Sequence, residues 1–167
     1  MPFSQGQTII HPHHGPVRVD RLVERTVGGQ TRTYLDLTTL DRPLSISVPV
    51  DRAEDVGLRA VCTPARVAEL LGLLASTERP ARQPWARRIK DLQERLSRGE
   101  PDQTCRVIRE LTRSGVRPGA TAEGQLLRTA RSHVAGELAV ALRIELPAAE
   151  RVIDSALDGD AALAATA

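Results

Sequence analysis

One short segment combines the residue types that bind nucleic acid. In 84–96 the only tryptophan of the chain, Trp85, is followed by Arg87, Arg88 and Lys90. A flat apolar ring can insert between base steps in a minor groove while neighbouring cations bind the phosphate backbone. The pattern therefore predicts a nucleic-acid contact at this segment.

The same segment has a second interpretation. Trp85, Ile89, Leu92 and Leu96 recur at the spacing of one helical face, so Trp85 could be the first core residue of that face. Against this, Trp85 falls in the first turn after a proline-containing linker, where helix ends are often exposed. The residues alone leave both interpretations open.

Three histidines near the N-terminus are the other candidates for chemistry. His11, His13 and His14 could supply imidazole ligands to zinc. No second cluster of Cys, His or carboxylates completes such a site, and Pro12 and Gly15 indicate a turn between strands. We expect a structural turn, with no metal or other cofactor.

The charge is distributed unevenly along the chain. Residues 1–62 carry seven basic and seven acidic side chains, whereas residues 79–131 carry thirteen basic and six acidic ones. Such a basic middle indicates that this part meets a polyanion, although a solvated helical surface would show a similar excess.

The front third predicts a small antiparallel β domain over residues 1–60. Apolar and charged residues alternate in segments of five to ten residues, and Gly28–Gly29 supplies a two-residue hairpin turn. Four or five such strands are typical of a Tudor- or SH3-like barrel. The predicted strands are 7–11, 17–23, 31–40 and 44–48.

The remainder predicts a helical bundle over residues 61–160, followed by a frayed tail at 161–167. Thr63 and Thr121 are the expected N-caps of the first and fourth helices of this part, and 76–83 is the expected linker before the second. The fold class is therefore α+β. The expected helices are 64–75, 84–99, 101–114, 122–146 and 147–157.

Other features narrow the class of protein. Cys62 and Cys105 have no metal-ligand spacing, so we expect buried thiols in a reducing compartment. There is no apolar run of about 20 residues and no signal-peptide pattern, so we expect a cytoplasmic protein. We also expect a monomer. No phosphate-binding glycine loop or Ser/His/Asp constellation is present, so we do not expect an enzyme.

The sequence resembles the CarD/CdnL family of bacterial transcription regulators. The N-terminal domain of that family is similar to the polymerase-interacting domain of transcription-repair coupling factors. The resemblance runs over roughly 1–157, and its marks are specific only in combination and order. They are PHHG at 12–15, Tyr34-Leu35, VP at 48–49, VGLR at 56–59, WxRRxK at 85–90, and Ala130-Arg131 with GELA at 136–139.

The resemblance implies two partners. The Tudor-like domain would dock on the RNA polymerase β subunit, and the helical domain would contact promoter DNA. Trp85 would enter the minor groove at the upstream edge of the bubble and stabilise the open complex. The cations Arg87, Arg88 and Lys90 would bind phosphates, and Arg131 is a further candidate DNA contact.

Two departures from the family pattern matter. Family members commonly carry basic residues at two polymerase-binding positions, and here these are Arg25 and the uncharged Ser47. The last helix of the basic region begins with Gly124-Gln125, where Lys or Arg is usual. The alternative hypothesis is therefore a diverged protein-interaction adaptor with the same fold, which no longer binds polymerase or DNA.

Overall fold

The fold is given by a computed structural model, which describes residues 3–159. The chain divides after Val61 into two compact units, each with its own hydrophobic core. The first is a β-sheet and the second is helical, so the predicted α+β class is confirmed. The predicted tail at 161–167 lies outside the described residues.

The first unit is a five-stranded antiparallel sheet in the order β4-β3-β2-β1-β5. Gly28 and Gly29, both at positive φ, form the predicted hairpin turn between the second and third strands. The four predicted strands are confirmed, and a two-residue fifth strand was not foreseen. The strands are β1 Thr8–His11, β2 Gly15–Val27, β3 Gln30–Thr39, β4 Ser45–Pro49 and β5 Arg59–Ala60.

A register shift in β2 explains its irregular sequence pattern. Val17 and Val19 are fully buried, but the pairing with β3 shifts between Val19 and Arg21. Because an extra residue reverses which side chains point inward, Leu22 returns to the core face and packs there. A short 3₁₀ turn, Val50–Arg52, and helix α1, Ala53–Val56, link the sheet to β5.

The second unit contains the five helices that the sequence predicts, but the fourth ends at Leu142 and not at 146, because Arg143 adopts a left-handed conformation with φ 55°, and the last helix begins at Leu146. Thr63 and Thr121 cap the first and fourth of these helices as expected, each accepting a hydrogen bond from the backbone N–H three residues later. Leu74, Leu92, Ile108, Leu127 and Ile153 are fully buried among them. The helices are α2 Pro64–Ala75, α3 Trp85–Ser97, α4 Pro101–Arg113, α5 Ala122–Leu142 and α6 Leu146–Leu157.

The two cysteines belong to this helical unit. Cys105 is buried, and its burial raises the pKa of the thiol to about 12, so it stays protonated at neutral pH. Cys62 is half-buried, and its backbone N–H donates to Glu137. Within residues 3–159, no helix is both long and apolar enough to span a bilayer.

Candidate functional site

Trp85 is exposed at the start of α3. The residue is 61% exposed, whereas Leu92 and Leu96 on the same helical face are 0% and 9% exposed. The hypothesis that Trp85 begins the core is therefore wrong, and the core contact of α3 is made by its C-terminal half. Helical spacing identifies a face, but it does not say how far along that face the neighbouring helices extend.

Two of the predicted cations, Arg87 and Lys90, are exposed within the same two turns of α3 as Trp85. Lys90 is 77% exposed and is 3.8 Å from Glu94. Arg87 is exposed and has no side-chain partner in the described part of the chain, because Asp91 instead pairs with Arg95 at 3.3 Å. The start of α3 thus presents an aromatic ring and two cations to solvent.

The loop before α5 forms a groove beside Trp85. Residues 115–119 of this loop line the groove together with Thr121 and Glu123. Gly124 allows the loop to pack closely, because a Cβ there would lie 2.8 Å from the Arg117 carbonyl oxygen. The carbonyl of Gly119 also accepts from Arg128 at 2.9 Å, which fixes the loop to α5.

This packing predicts opposite effects for two glycine substitutions. Gly124→Ala should destabilise the helical unit by about 1–3 kcal/mol, because the new methyl group displaces loop backbone. Gly72→Ala, at an exposed α2 position with nothing within 4 Å, should stabilise it by about 0.5–1 kcal/mol. Urea unfolding followed by circular dichroism at 222 nm measures both. A gain in stability from Gly124→Ala would show that the loop is not held as described.

Arg88 faces the interior of the bundle. Its side chain is 22% exposed, lies 3.4 Å from Glu110 and 3.7 Å from Glu123, and donates to Ser114. Neither residue four positions from Arg88 along the chain is acidic, and the long-range partners Glu110 and Glu123 were not apparent from the sequence. The ion pairs connect the start of α3 to α4 and α5.

Glu110 is the centre of this network, and sequence reasoning missed it. The residue is 6% exposed. One carboxylate oxygen faces Arg88 and the other accepts from Arg95 at 3.1 Å. Because a buried carboxylate requires paired cations, these contacts tie the charges of α3 to α4. The only sequence signal was an acidic residue on the core face of α4, next to Leu111.

Arg131, the remaining predicted DNA contact, lies on α5 and is paired internally. Its side chain is 15% exposed and donates to Glu150 at 2.6 Å and to Asp154 at 2.8 Å. Both carboxylates belong to α6. Burial alone would lower the pKa of Arg131, but its hydrogen bonds to these two carboxylates and their negative charges outweigh burial and raise the pKa. The observed contacts join α5 to α6.

In the β unit, Asp36 brings together both predicted polymerase-binding residues. Arg25 on β2 donates to one carboxylate oxygen at 2.8 Å, and Ser47 on β4 donates to the same oxygen. Arg21 donates to the other oxygen at 3.1 Å. The Arg25 guanidinium also lies 5.2 Å from the centre of the Tyr34 ring. Asp36 therefore positions Arg25 on the exposed face of the sheet.

The Asp36 cluster predicts a pH dependence. The hydrogen bond from Ser47, followed by those from the arginines, holds the pKa of Asp36 below its usual 3.8, although desolvation opposes the shift. Because the folded pKa is lowered, the stabilisation is present above the unfolded pKa and is lost as pH falls through the folded value. In Asp36→Asn, the free energy of unfolding should therefore fall less steeply below about pH 4 than it does in wild type.

Urea midpoints between pH 2.5 and 6, followed by the signal of the only tyrosine, Tyr34, measure this effect. Asp41→Asn, in the exposed turn between β3 and β4, is the matched control. If Asp36→Asn loses stability on acidification as steeply as Asp41→Asn does, the Asp36 carboxylate is not the group that stabilises the β unit above about pH 4.

The histidine segment forms the expected turn between β1 and β2. His11 Nδ1 accepts a hydrogen bond from the backbone N–H of His13, and the rings of His11 and His14 lie 4.6 Å apart. Among the residues that the structure describes, no group of three His, Cys, Asp or Glu side chains could hold a metal ion.

Both the β unit and the helical unit match known protein domains. Residues 3–62 match the CarD-like/TRCF RID domain, a Tudor-like domain, and residues 69–154 match the CarD C-terminal domain. The two domains together define a transcription-associated protein that interacts with RNA polymerase. The chain belongs to the CarD family, as the sequence resemblance predicted.

Proposed function

We propose that this protein docks on the RNA polymerase β subunit and contacts promoter DNA at the upstream edge of the transcription bubble. It stabilises the open complex without catalysing a reaction and without strong sequence preference. The β unit provides the polymerase contact and the helical unit provides the DNA contact.

The observation that carries this proposal is the exposure of Trp85 within the same two turns of α3 as the exposed cations Arg87 and Lys90. Exposing a large aromatic ring to water is unfavourable unless a partner covers it. A ring inserted between base steps favours distorted DNA over closed duplex, so its binding shifts the promoter towards the open state. Phosphate contacts position the protein but carry no sequence information, which explains the weak sequence preference.

The remaining predicted DNA contacts, Arg88 and Arg131, are engaged by carboxylates. A phosphate contact from either would have to replace an ion pair with Glu110 or Glu150. Their DNA contacts stay predictions, and we assign the main contact to the exposed residues at the start of α3.

For the polymerase contact we propose the face around Arg25 and Ser47. Asp36 lies on β3, between β2 and β4, and holds both side chains from these two flanking strands, so Ser47 completes the cluster although it carries no charge. β4 is also an edge strand of the sheet, and its unpaired backbone groups could pair with a strand of the partner.

Binding of the whole chain to the isolated β-subunit lobe tests this assignment. We expect micromolar or tighter binding, which Arg25→Glu should weaken by at least about tenfold because it places a second carboxylate beside Asp36. Arg52→Glu, at an exposed position of the same unit, should leave binding unchanged. Wild-type binding that survives Arg25→Glu would exclude Arg25 as the anchor. Absence of wild-type binding would favour the adaptor hypothesis.

A further inference from the structure

A second groove of the helical unit carries an excess of positive charge. Residues 76–84, which connect α2 to α3, pass beside the end of α4 and leave an open groove between them. Arg79 and Arg82 of this connection line it, together with Arg88, Arg113 and Ser114. We call this the linker groove.

The exposed arginines of the linker groove lack carboxylate partners. Arg79 and Arg82 make no side-chain ion pair within residues 3–159, and Arg113 donates only to the backbone carbonyl of Ala75, at 3.3 Å. The single carboxylate that lines this groove, Glu110, is buried and already faces two arginines. Three cations therefore remain available to an anion from solution.

A neighbouring groove, which shares Arg79 with the linker groove, contains a carboxylate of the chain itself. Glu78, on the same connection, lies 3.3 Å from Arg109 and 3.6 Å from Arg106, while its own side chain is 65% exposed. Arg109 is 5% exposed, and the Nε atoms of both arginines are buried without a hydrogen-bond partner in the described structure. Arg109 also donates to the backbone carbonyl of Leu73 at 3.0 Å, so Glu78 and this carbonyl together still leave the two Nε donors without an acceptor in the described structure.

We propose that the linker groove binds phosphate through Arg79, Arg82 and Arg113, and that the negative charge of Glu78, which pairs with Arg106 and Arg109 next to the groove, opposes this binding. Arginine is suited to this ligand because its planar guanidinium forms paired hydrogen bonds with phosphate oxygens. The phosphate comes either from the DNA backbone, in which case the inference rests on the proposed function, or from a free polyphosphate.

The first arm of the test titrates inorganic triphosphate into the whole chain by calorimetry. Binding by the wild type should be weakened about tenfold or more in the double variant Arg79→Gln/Arg82→Gln, which loses two cations. Glu78→Gln should bind about threefold more tightly, because the opposing charge is removed. Arg98→Gln, at the opposite end of α3, is the matched control and should not change the affinity.

The second arm measures binding to a duplex with an unpaired bubble over a range of salt concentrations. Each phosphate contact contributes about 0.9 to the slope of log K against log salt, so the double variant should lower that slope by about 1.8. A changed slope without triphosphate binding assigns the site to DNA. Triphosphate binding that the double variant weakens, with an unchanged slope, assigns it to a free anion, whereas triphosphate binding that the double variant leaves unchanged excludes the linker groove as its site.

The inference is overturned if triphosphate does not bind and the salt slope of the double variant equals that of Arg98→Gln. Weaker triphosphate binding by Glu78→Gln would overturn the opposing role of Glu78. If the wild type does not bind DNA at all, the proposed DNA contact fails, and the triphosphate arm alone still decides whether the groove binds phosphate.

Discussion

Glu110→Leu is expected to destabilise the helical unit by about 3–5 kcal/mol, the largest stability effect that we predict. The substitution removes the carboxylate that Arg88 and Arg95 share. Their side chains are only 22% and 19% exposed, so two like charges remain close together and poorly hydrated. Neither cation can regain full hydration there, and the remaining carboxylates, Asp91 and Glu123, lie on the periphery of the network. The loss should therefore exceed that of an ordinary surface ion pair.

Urea unfolding followed by helical circular dichroism measures this loss. Glu94→Gln is the matched control, because Glu94 also pairs with a cation of α3 but is 58% exposed, and it should change stability by no more than about 0.5 kcal/mol. Should Glu110→Leu cost less than 1 kcal/mol, the carboxylate would not be the centre of the charge network.

Trp85→Ala should weaken binding to bubble-containing promoter DNA by roughly 5- to 150-fold, the largest functional effect that we predict. Stacking of one aromatic side chain on a base contributes about 1–3 kcal/mol by alanine substitution. Because Trp85 is 61% exposed, the same change should leave the unfolding free energy within about 1 kcal/mol of wild type.

Fluorescence anisotropy with labelled bubble DNA and urea unfolding of the same variants separate the two effects. Trp85→Phe keeps an aromatic ring and should retain most of the affinity, whereas Gln93→Ala, at an exposed position of the same helix, should bind like wild type. Equal DNA affinity of wild type and Trp85→Ala would remove the observation on which the proposed function rests.

Most of the fold was predictable because its signals are local. The Gly28–Gly29 hairpin, the capping threonines Thr63 and Thr121, and the apolar spacing within each helix depend on neighbouring residues. The short β5 was missed because two residues carry no periodicity, and it forms only by pairing with β1.

The candidate sites were predictable in part. The composition of the segment after Pro84 predicted a nucleic-acid contact. Whether Trp85 is buried, however, depends on where α4 and α5 end, and local spacing does not encode this. The role of Arg88 depends on Glu110, 22 residues later in the sequence, and that of Arg25 on Asp36 of the next strand. Such pairings become visible only when the elements are packed together.

The most direct test of the proposed function is the lifetime of the promoter open complex, measured after competitor challenge with and without this protein. If the chain prefers the open state by about 1–3 kcal/mol, its saturating addition should lengthen that lifetime by about 5- to 150-fold. Lengthening in this range would support a contact that favours opened DNA. An unchanged lifetime, with the protein demonstrably bound to the polymerase, would contradict it.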